Sequence, residues 1–454
     1  MARYTGSLAA YPARAVFAWF ALLILAGASL LSLPICQAAD RPPLSLLDAL
    51  FTAASAACVT GLTVRSTVHD FSFLGQLVIL TLIQLGGIGI ITVTTFLTLR
   101  FGGREHLRQK AVIASTLGAI DLDLRWVLRN ALQFVLVVEG IGFTVLAGRN
   151  LIFDTGRGGW QAVWDGLFHS VSAFCNAGFA LHDDSLVRHQ GDVLVNLTIV
   201  SLLVVGGIGF PVILDLRRQG NGSWRQRWER LALHTKMMLI GTGGLLTLGT
   251  VLILLLERNH ALAEMTLGRK LLVAAFQSAT PRTAGFNTID LGRFSDATLF
   301  IIILLMLIGG GPCSTAGGFK VSTVMVLLAN TWSKFTGHHR IRLFRRSISA
   351  EAVERALATA LIFAVVAVSA VTALLMFESA TRNRFLPAVF EVASALGTVG
   401  LSVDFTTTLH GTGKTIIIIL MFVGRLGPIT VFVALASKAH QDRLEYPNED
   451  VLIG

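Results

Sequence analysis

The sequence predicts an all-α integral membrane protein of four tandem units, each a membrane-crossing helix, a short re-entrant helix with a glycine loop, and a second membrane-crossing helix. Three observations predict it. The 454 residues are 53% hydrophobic and only 14% charged, with a mean hydropathy of +0.69, values foreign to a soluble protein of two or three domains. Eight apolar runs reach the roughly 20 residues needed to cross about 30 Å of hydrocarbon. Between alternate runs lie four stretches of similar sequence at nearly regular intervals.

The apolar runs lie near 15–34, 77–99, 130–148, 193–214, 237–256, 297–328, 356–377 and 416–435. The first follows Arg3 and Arg14, and at about 20 residues it exceeds the ~7 to 15 of a signal-peptide core, so it is expected to be retained. Eight spans put both termini on one side. The segments 1–14, 100–129, 215–236, 334–355 and 436–454 hold 22 of the 37 Lys and Arg, against 13 in the loops 35–76, 149–192, 257–296 and 378–415. By the positive-inside rule the first set, with both termini, is cytoplasmic. The formal charge of +10 is thereby spread over loops rather than gathered on a nucleic-acid-binding face. Those basic loops either stay solvated or dock a partner or anionic lipid headgroups. Cys36, Cys58, Cys175 and Cys313 lie far apart without C-x-x-C or His partners at ligand spacing, so they indicate neither a disulfide framework nor a zinc site.

The four repeated stretches are LFTAASAACVTGLT (50–63), LFHSVSAFCNAGFA (167–180), AFQSATPRTAGFNT (275–288) and VFEVASALGTVGLS (389–402). Each has a Phe (Phe51, Phe168, Phe276, Phe390), a hydroxyl four positions later (Ser55, Ser172, Thr280, Ser394), and a Gly followed by Leu or Phe. The glycines are Gly61, Gly178, Gly285 and Gly400, spaced by 117, 107 and 115 residues. About 24 to 28 residues further on, each unit carries a second mark: Gly86-Gly87-Ile88-Gly89, Gly206-Gly207-Ile208-Gly209, Gly309-Gly310-Gly311-Pro312 and Gly424-Arg425-Leu426-Gly427-Pro428. The units run 1–110, 111–232, 233–346 and 347–454.

Irregular backbone at membrane depth is tolerated where it is buried in protein or lines a wet cavity. Four such loops can converge on one pseudo-fourfold axis, where the carbonyls before each Gly replace the water shell of a cation. Glycine permits the required φ and keeps side chains out of the path. The short helices aim their negative ends at the axis, which favours cations over anions. Asp48 and Asp165, each thirteen residues before its Gly, are read either as N-terminal caps or as cation attractors.

On these loops and the Gly-rich second spans, the chain resembles the Trk/Ktr/HKT superfamily of potassium transporters over essentially its whole length. Eight spans beginning directly with the first unit, and the terminal run Tyr446–Gly454 (YPNEDVLIG), are closest to Ktr-type membrane subunits. The resemblance implies a K⁺ selectivity filter of Val59-Thr60-Gly61-Leu62, Asn176-Ala177-Gly178-Phe179, Thr283-Ala284-Gly285-Phe286 and Thr398-Val399-Gly400-Leu401. Gly61 rather than Ser implies K⁺ over Na⁺, and filters this short imply weaker discrimination than a T-V-G-Y-G loop. It further implies that Gly309, Gly310, Gly311, Pro312, Cys313, Ser314, Thr315, Ala316, Gly317 and Gly318 form an intramembrane gating loop below the filter, a run unable to hold a regular helix.

Arg425 is costly at a helix centre, by roughly 2.5 to 3.5 kcal/mol. The resemblance places it beside the pore as an electrostatic barrier; the other reading is a structural pair with loop carbonyls or an acid. Lys320 either pairs with the loop or snorkels to the surface. The resemblance also implies a homodimer on a cytosolic KtrA-like ring of nucleotide-binding subunits in the plasma membrane, K⁺ as the transported ion with Na⁺ as activator or coupling ion, symport, and no organic cofactor in this chain.

Other classes fit less well. The run His410-Gly411-Thr412-Gly413-Lys414-Thr415 suggests a phosphate loop, but G-x-x-x-x-G-K-[ST] needs Gly where Thr408 stands, and Lys414 is then read as an interfacial residue. A membrane enzyme using His169, Ser170 and Cys175 or Cys313-Ser314 lacks H-E-x-x-H and G-x-S-x-G. His169 is read as packing on its short helix. A passive monovalent-cation channel without a regulatory partner would use the same filter, and a scaffold would need no re-entrant loops.

Overall fold

Apolar stretches become helices here because a helix satisfies its backbone hydrogen bonds within one segment, as a lipid-facing or buried chain requires. The structure, a computed structural model, describes residues 12–100, 124–154, 156, 158–220, 222–338, 341–378, 385–428, 430 and 431. The Tyr446–Gly454 run, most of the basic 100–129 and 436–454 segments and the unit boundary at 110 lie outside the described residues.

In chain order the helices are α1 (Pro12–Leu31), α2 (Leu46–Ala57), α3 (Phe73–Arg100), α4 (Leu124–Phe153), α5 (Gly159–Phe174), α6 (Val193–Ile208), α7 (Phe210–Arg218), α8 (Trp224–Arg230), α9 (Leu233–Glu257), α10 (Leu267–Ala279), α11 (Asp296–Leu307), α12 (Val321–Phe335), α13 (Ala350–Phe377), α14 (Phe385–Gly397) and α15 (Gly411–Leu426). Four times a long helix is followed by a short one (α2, α5, α10, α14), a glycine loop and a further helix. Among the described residues, the helices long and apolar enough to cross a membrane singly are Ala13–Leu31, Arg129–Phe153, Leu233–Glu257 and Ala350–Phe377, the long helix of each set.

The helices that follow the loops are less regular: one expectation is corrected, and the interruption expected at 309–318 is present. The continuous run expected near 193–214 is two helices, α6 and α7, bent by 92°. Gly209 sits at the bend with φ +100°, a conformation closed to most L-residues, and Pro211 opens α7. The run near 297–328 is α11 and α12, separated by an irregular segment whose ends are tied by a parallel bridge between Ile308 and Phe319. Helix α15 starts at Gly411, earlier than the apolar run, and stops at Gly427, φ +82°.

The all-α expectation also missed a small antiparallel hairpin, β1 (Arg342–Leu343) and β2 (Arg346–Ser347), whose turn residues Phe344 and Arg345 both have positive φ. The main hydrophobic core lies around α2 and α5, where Phe51, Phe168, Phe174, Phe179 and Leu62 are buried with the facing residues of α1, α3, α6 and α15.

Candidate functional site

Each short helix is anchored by its repeated Phe. Phe51, Phe168, Phe276 and Phe390 are at most 1% exposed, as are the hydroxyls Ser55, Ser172, Thr280 and Ser394. The hydroxyls hold the glycine loops, in two ways. Ser55 and Ser394 Oγ accept the Gly61 and Gly400 N–H at 3.0 Å. Ser172 Oγ donates to the Phe179 carbonyl at 2.7 Å, and Thr280 Oγ1 donates to that of Phe286.

The loop backbone turns its N–H groups into the end of its own short helix. Val59, Thr60 and Gly61 N–H go to Ala56 O, Ser55 O and Ser55 Oγ, and Thr398, Val399 and Gly400 repeat this on Ala395 O, Ser394 O and Ser394 Oγ. Asn176 and Ala177 N–H go to Ala173 O and Ser172 O, and Ala284 N–H to Thr280 O. Gly61, Gly178, Gly285 and Gly400 have φ of +92°, +69°, +78° and +92°. Sequence reasoning missed that the residue two before each Gly is also left-handed: Val59 +56°, Asn176 +58°, Thr283 +69° and Thr398 +50°. Three of those are β-branched, for which such φ is an outlier that the surroundings must enforce. Residues of alternating hand line their N–H groups along one side, so the carbonyls of the loop face the other.

The four glycines close a ring in chain order. A Cβ added to Gly61 would strike the Ala177 carbonyl oxygen, one on Gly178 would lie 3.0 Å from that of Ala284, one on Gly285 would strike that of Val399, and one on Gly400 that of Thr60. At the residues two before the glycines, Thr283 and Thr398 Oγ1 and Asn176 Oδ1 are buried with no hydrogen-bond partner, as is Thr60 Oγ1 beside Gly61. Three of the second marks share a cause: a Cβ on Gly86, Gly206 or Gly424 would strike the carbonyl of Ala57, Phe174 or Leu396, so these glycines let the later helix touch the end of the short helix, whereas Gly309 of the third meets the Gly317 carbonyl.

The segment 309–318 packs directly against the loops. A Cβ on Gly309 would lie 3.3 Å from Thr283 Cγ2, and one on Gly317 3.0 Å from Thr398 Cγ2. Asn176 Nδ2 donates to Thr315 Oγ1 at 2.7 Å, which donates to Phe174 O at 3.1 Å. The segment is tied down by Gly311 N–H to Gly207 O, Thr315 N–H to Gly206 O, Val321 N–H to Gly310 O and Phe210 N–H to Cys313 O, while Ser314 Oγ donates to Gly311 O. Pro312 and Gly318 lie within it, Gly318 at φ +64°, and Ala316 is 1% exposed. Arg425, 2% exposed, donates to the Thr315 carbonyl and, at 2.7 Å, to the Gly86 carbonyl of α3. Of the two readings of Arg425, the loop-carbonyl pair is what the geometry contains. Lys320 Nζ binds Ala316 O at 2.7 Å rather than snorkelling.

Neither Asp48 nor Asp165 caps a helix. Ser45 caps α2, and α5 begins after Gly158. Asp48 is held by Lys414 Nζ at 2.6 Å and Arg65 at 3.1 Å, so Lys414 is a pairing residue. Asp165, inside α5, has His182 Nε2 at 3.1 Å, His169 Nδ1 at 3.4 Å and Asn150 Nδ2 at 2.8 Å. In the following loop, burial holds the His182 imidazole below its ordinary value, and burial followed by Arg149 pushes His189 down to about 4.

Buried charged residues, Arg282 and Glu139 among them, escaped sequence reasoning. Arg282, immediately before Thr283, donates to Thr242 Oγ1 at 3.3 Å, and Glu139 accepts from Gln84 at 3.0 Å beside Cys175. A charge inside an otherwise apolar stretch is the signal that would have found both.

A family model described as TrkH, cation transport protein, matches residues 21–446. The chain is 40% identical to the Ktr system potassium uptake protein B of Vibrio alginolyticus, covering 97% of this chain and 94% of that one. It is 36% identical to the potassium/sodium uptake protein NtpJ of Enterococcus hirae, over 98% and 97% of the two chains. The crystal structure of the potassium transporter TrkH from Vibrio parahaemolyticus superposes with a TM-score of 0.75 over 96% of this chain and 87% of that one, at 20% identity, a likeness of fold.

Proposed function

The chain belongs to the TrkH family of cation transport proteins, transporters rather than enzymes, and we propose that it takes up potassium through the ring closed by Gly61, Gly178, Gly285 and Gly400. The observation that carries this reading is the loop backbone. Most of its N–H groups are taken up by the short helices, and the Thr60, Ala177, Ala284 and Val399 carbonyl oxygens lie against the neighbouring ring glycines; in this reading they, with the carbonyls of Val59, Asn176, Thr283 and Thr398, stand in for water around a dehydrated cation. The unpartnered oxygens of Thr283, Thr398 and Asn176 add acceptors at one end, and no acidic side chain is needed. At about 100 mV, one charge entering gains roughly 2.3 kcal/mol, which drives accumulation.

The units 1–110, 111–232, 233–346 and 347–454 cross the plasma membrane with both termini cytoplasmic. The 309–318 segment is the gate, with Arg425 as its latch to α3. The basic face carries a cytosolic nucleotide-binding ring, and two copies form a dimer. Sodium acts as activator or coupling ion, a reading motivated by the potassium/sodium uptake relative.

The test is ⁸⁶Rb⁺ uptake into K⁺-loaded proteoliposomes, with external K⁺, Na⁺ or Li⁺ as competitors. Potassium should compete about tenfold better than sodium, Gly61→Ser should erode that ratio, and deleting 311–317 should raise the flux. Equal competition by Na⁺, or an unchanged preference in Gly61→Ser, overturns the filter. Unchanged flux in the deletion reduces the segment to a packing kink.

A further inference from the structure

We propose that Asp165, His169 and His182 form a binding site for a first-row divalent metal ion that staples the chain following Gly178 to the short helix α5. The three side chains are 8%, 2% and 8% exposed, and one oxygen or nitrogen from each lies within 4.8 Å of the other two. Asp165 Oδ1 is 3.1 Å from His182 Nε2 and 3.4 Å from His169 Nδ1. A tetrahedral ion with bonds of about 2.0–2.1 Å holds its ligand atoms about 3.3 Å apart, close to the two separations measured from the carboxylate.

The rings are neighbours: His169 and His182 are stacked with centroids 5.1 Å apart and planes 19° from parallel, so turning them about their side-chain bonds is what would bring both nitrogen edges to one ion. His169 Nδ1 now lies 2.9 Å from the Asp165 carbonyl, and a small ring rotation exchanges that hydrogen bond for the ion. Asn150 Nδ2 already holds the second carboxylate oxygen at 2.8 Å, the kind of outer contact that orients a metal-binding carboxylate.

Access is present. Asp165 lines a cavity of about 400 Å³ with Gln76, Gln161, Trp164 and Leu181, which leaves the fourth ligand position to that side. Two nitrogens and one carboxylate oxygen suit Zn²⁺ or its neighbours rather than Ca²⁺ or Mg²⁺, which take oxygen ligands. The equivalent Asp48 carries a lysine and an arginine instead, so the site is peculiar to the second unit.

The experiment is calorimetric titration of the purified full chain with Zn²⁺, together with Co²⁺ absorption and thermal unfolding. One ion per chain, visible Co²⁺ bands of a tetrahedral site and a raised Tm are expected. His182→Gln should weaken binding by about tenfold or more and abolish the Zn²⁺-dependent rise in Tm. His182→Cys, which supplies another zinc ligand, should retain both. His69→Gln, at the exposed His69–Asp183 pair, should bind as the wild type does. Undiminished binding in His182→Gln, or no binding by the wild type up to millimolar Zn²⁺, overturns the site.

Discussion

The first and second units perform the same task with different chemistry. Both place an Asp thirteen residues before the ring glycine, and both use a buried serine to hold the loop. In the first, Asp48 is paired with Lys414 and Arg65. In the second, Asp165 meets the imidazoles of His169 and His182, whose charge and lone pairs are exchangeable. Ser55 accepts the Gly61 N–H, whereas Ser172 donates to the Phe179 carbonyl. Duplicated units need to keep the position of the glycine and the register of the loop. The groups that secure them are free to diverge once each unit has distinct neighbours.

The largest effect expected from this contrast is on stability. Asp48→Ala strands two part-exposed cations, and losing their common buried partner costs up to about 3–5 kcal/mol. Asp165→Ala leaves imidazoles that can stay neutral, and should cost about 1–3 kcal/mol. Urea unfolding in detergent measures both, and equal losses would break the comparison. Smaller is the difference between the serines. Ser55→Ala orphans a buried N–H at a cost of about 1–3 kcal/mol. Ser172→Ala orphans a carbonyl, which a buried backbone tolerates better, and should lose no more than about 1 kcal/mol. A reversed order in the same unfolding series would mean that the two hydroxyls share one role. The smallest belongs to Arg188→Ala, at a half-exposed pair with Asp184, where a change within about 0.5 kcal/mol is expected. A larger loss would show that the loop of the second unit depends on surface charge.

Much of the architecture is legible in the chain because repetition amplifies weak signals. One Phe, one hydroxyl and one Gly mean little alone, but four sets in order mark short helices, their anchors and the close approaches behind Gly86, Gly206 and Gly424. What escaped is pairing across units. Lys414 and Asp48 are 366 residues apart, and neither position announces the other, so Lys414 reads as interfacial and Asp48 as a cap. The bend at Gly209 hides inside an apolar run because hydropathy does not register φ. The left-handed Val59, Thr283 and Thr398 are invisible for a related reason: β-branched residues advertise extended backbone, and only the surrounding contacts force them elsewhere.

The ring closes Gly400 onto Thr60, and the Asp48–Lys414 contact spans the same gap. During synthesis the first glycine loop therefore waits for the last quarter of the chain. At about 5–20 residues per second the intervening segment takes on the order of 20 to 70 s to emerge. Throughout that interval the first unit resides in the membrane with its polar loop unclosed and Asp48 held by Arg65 alone, which makes the earliest quarter of the protein the last to mature and the most exposed to quality-control proteases.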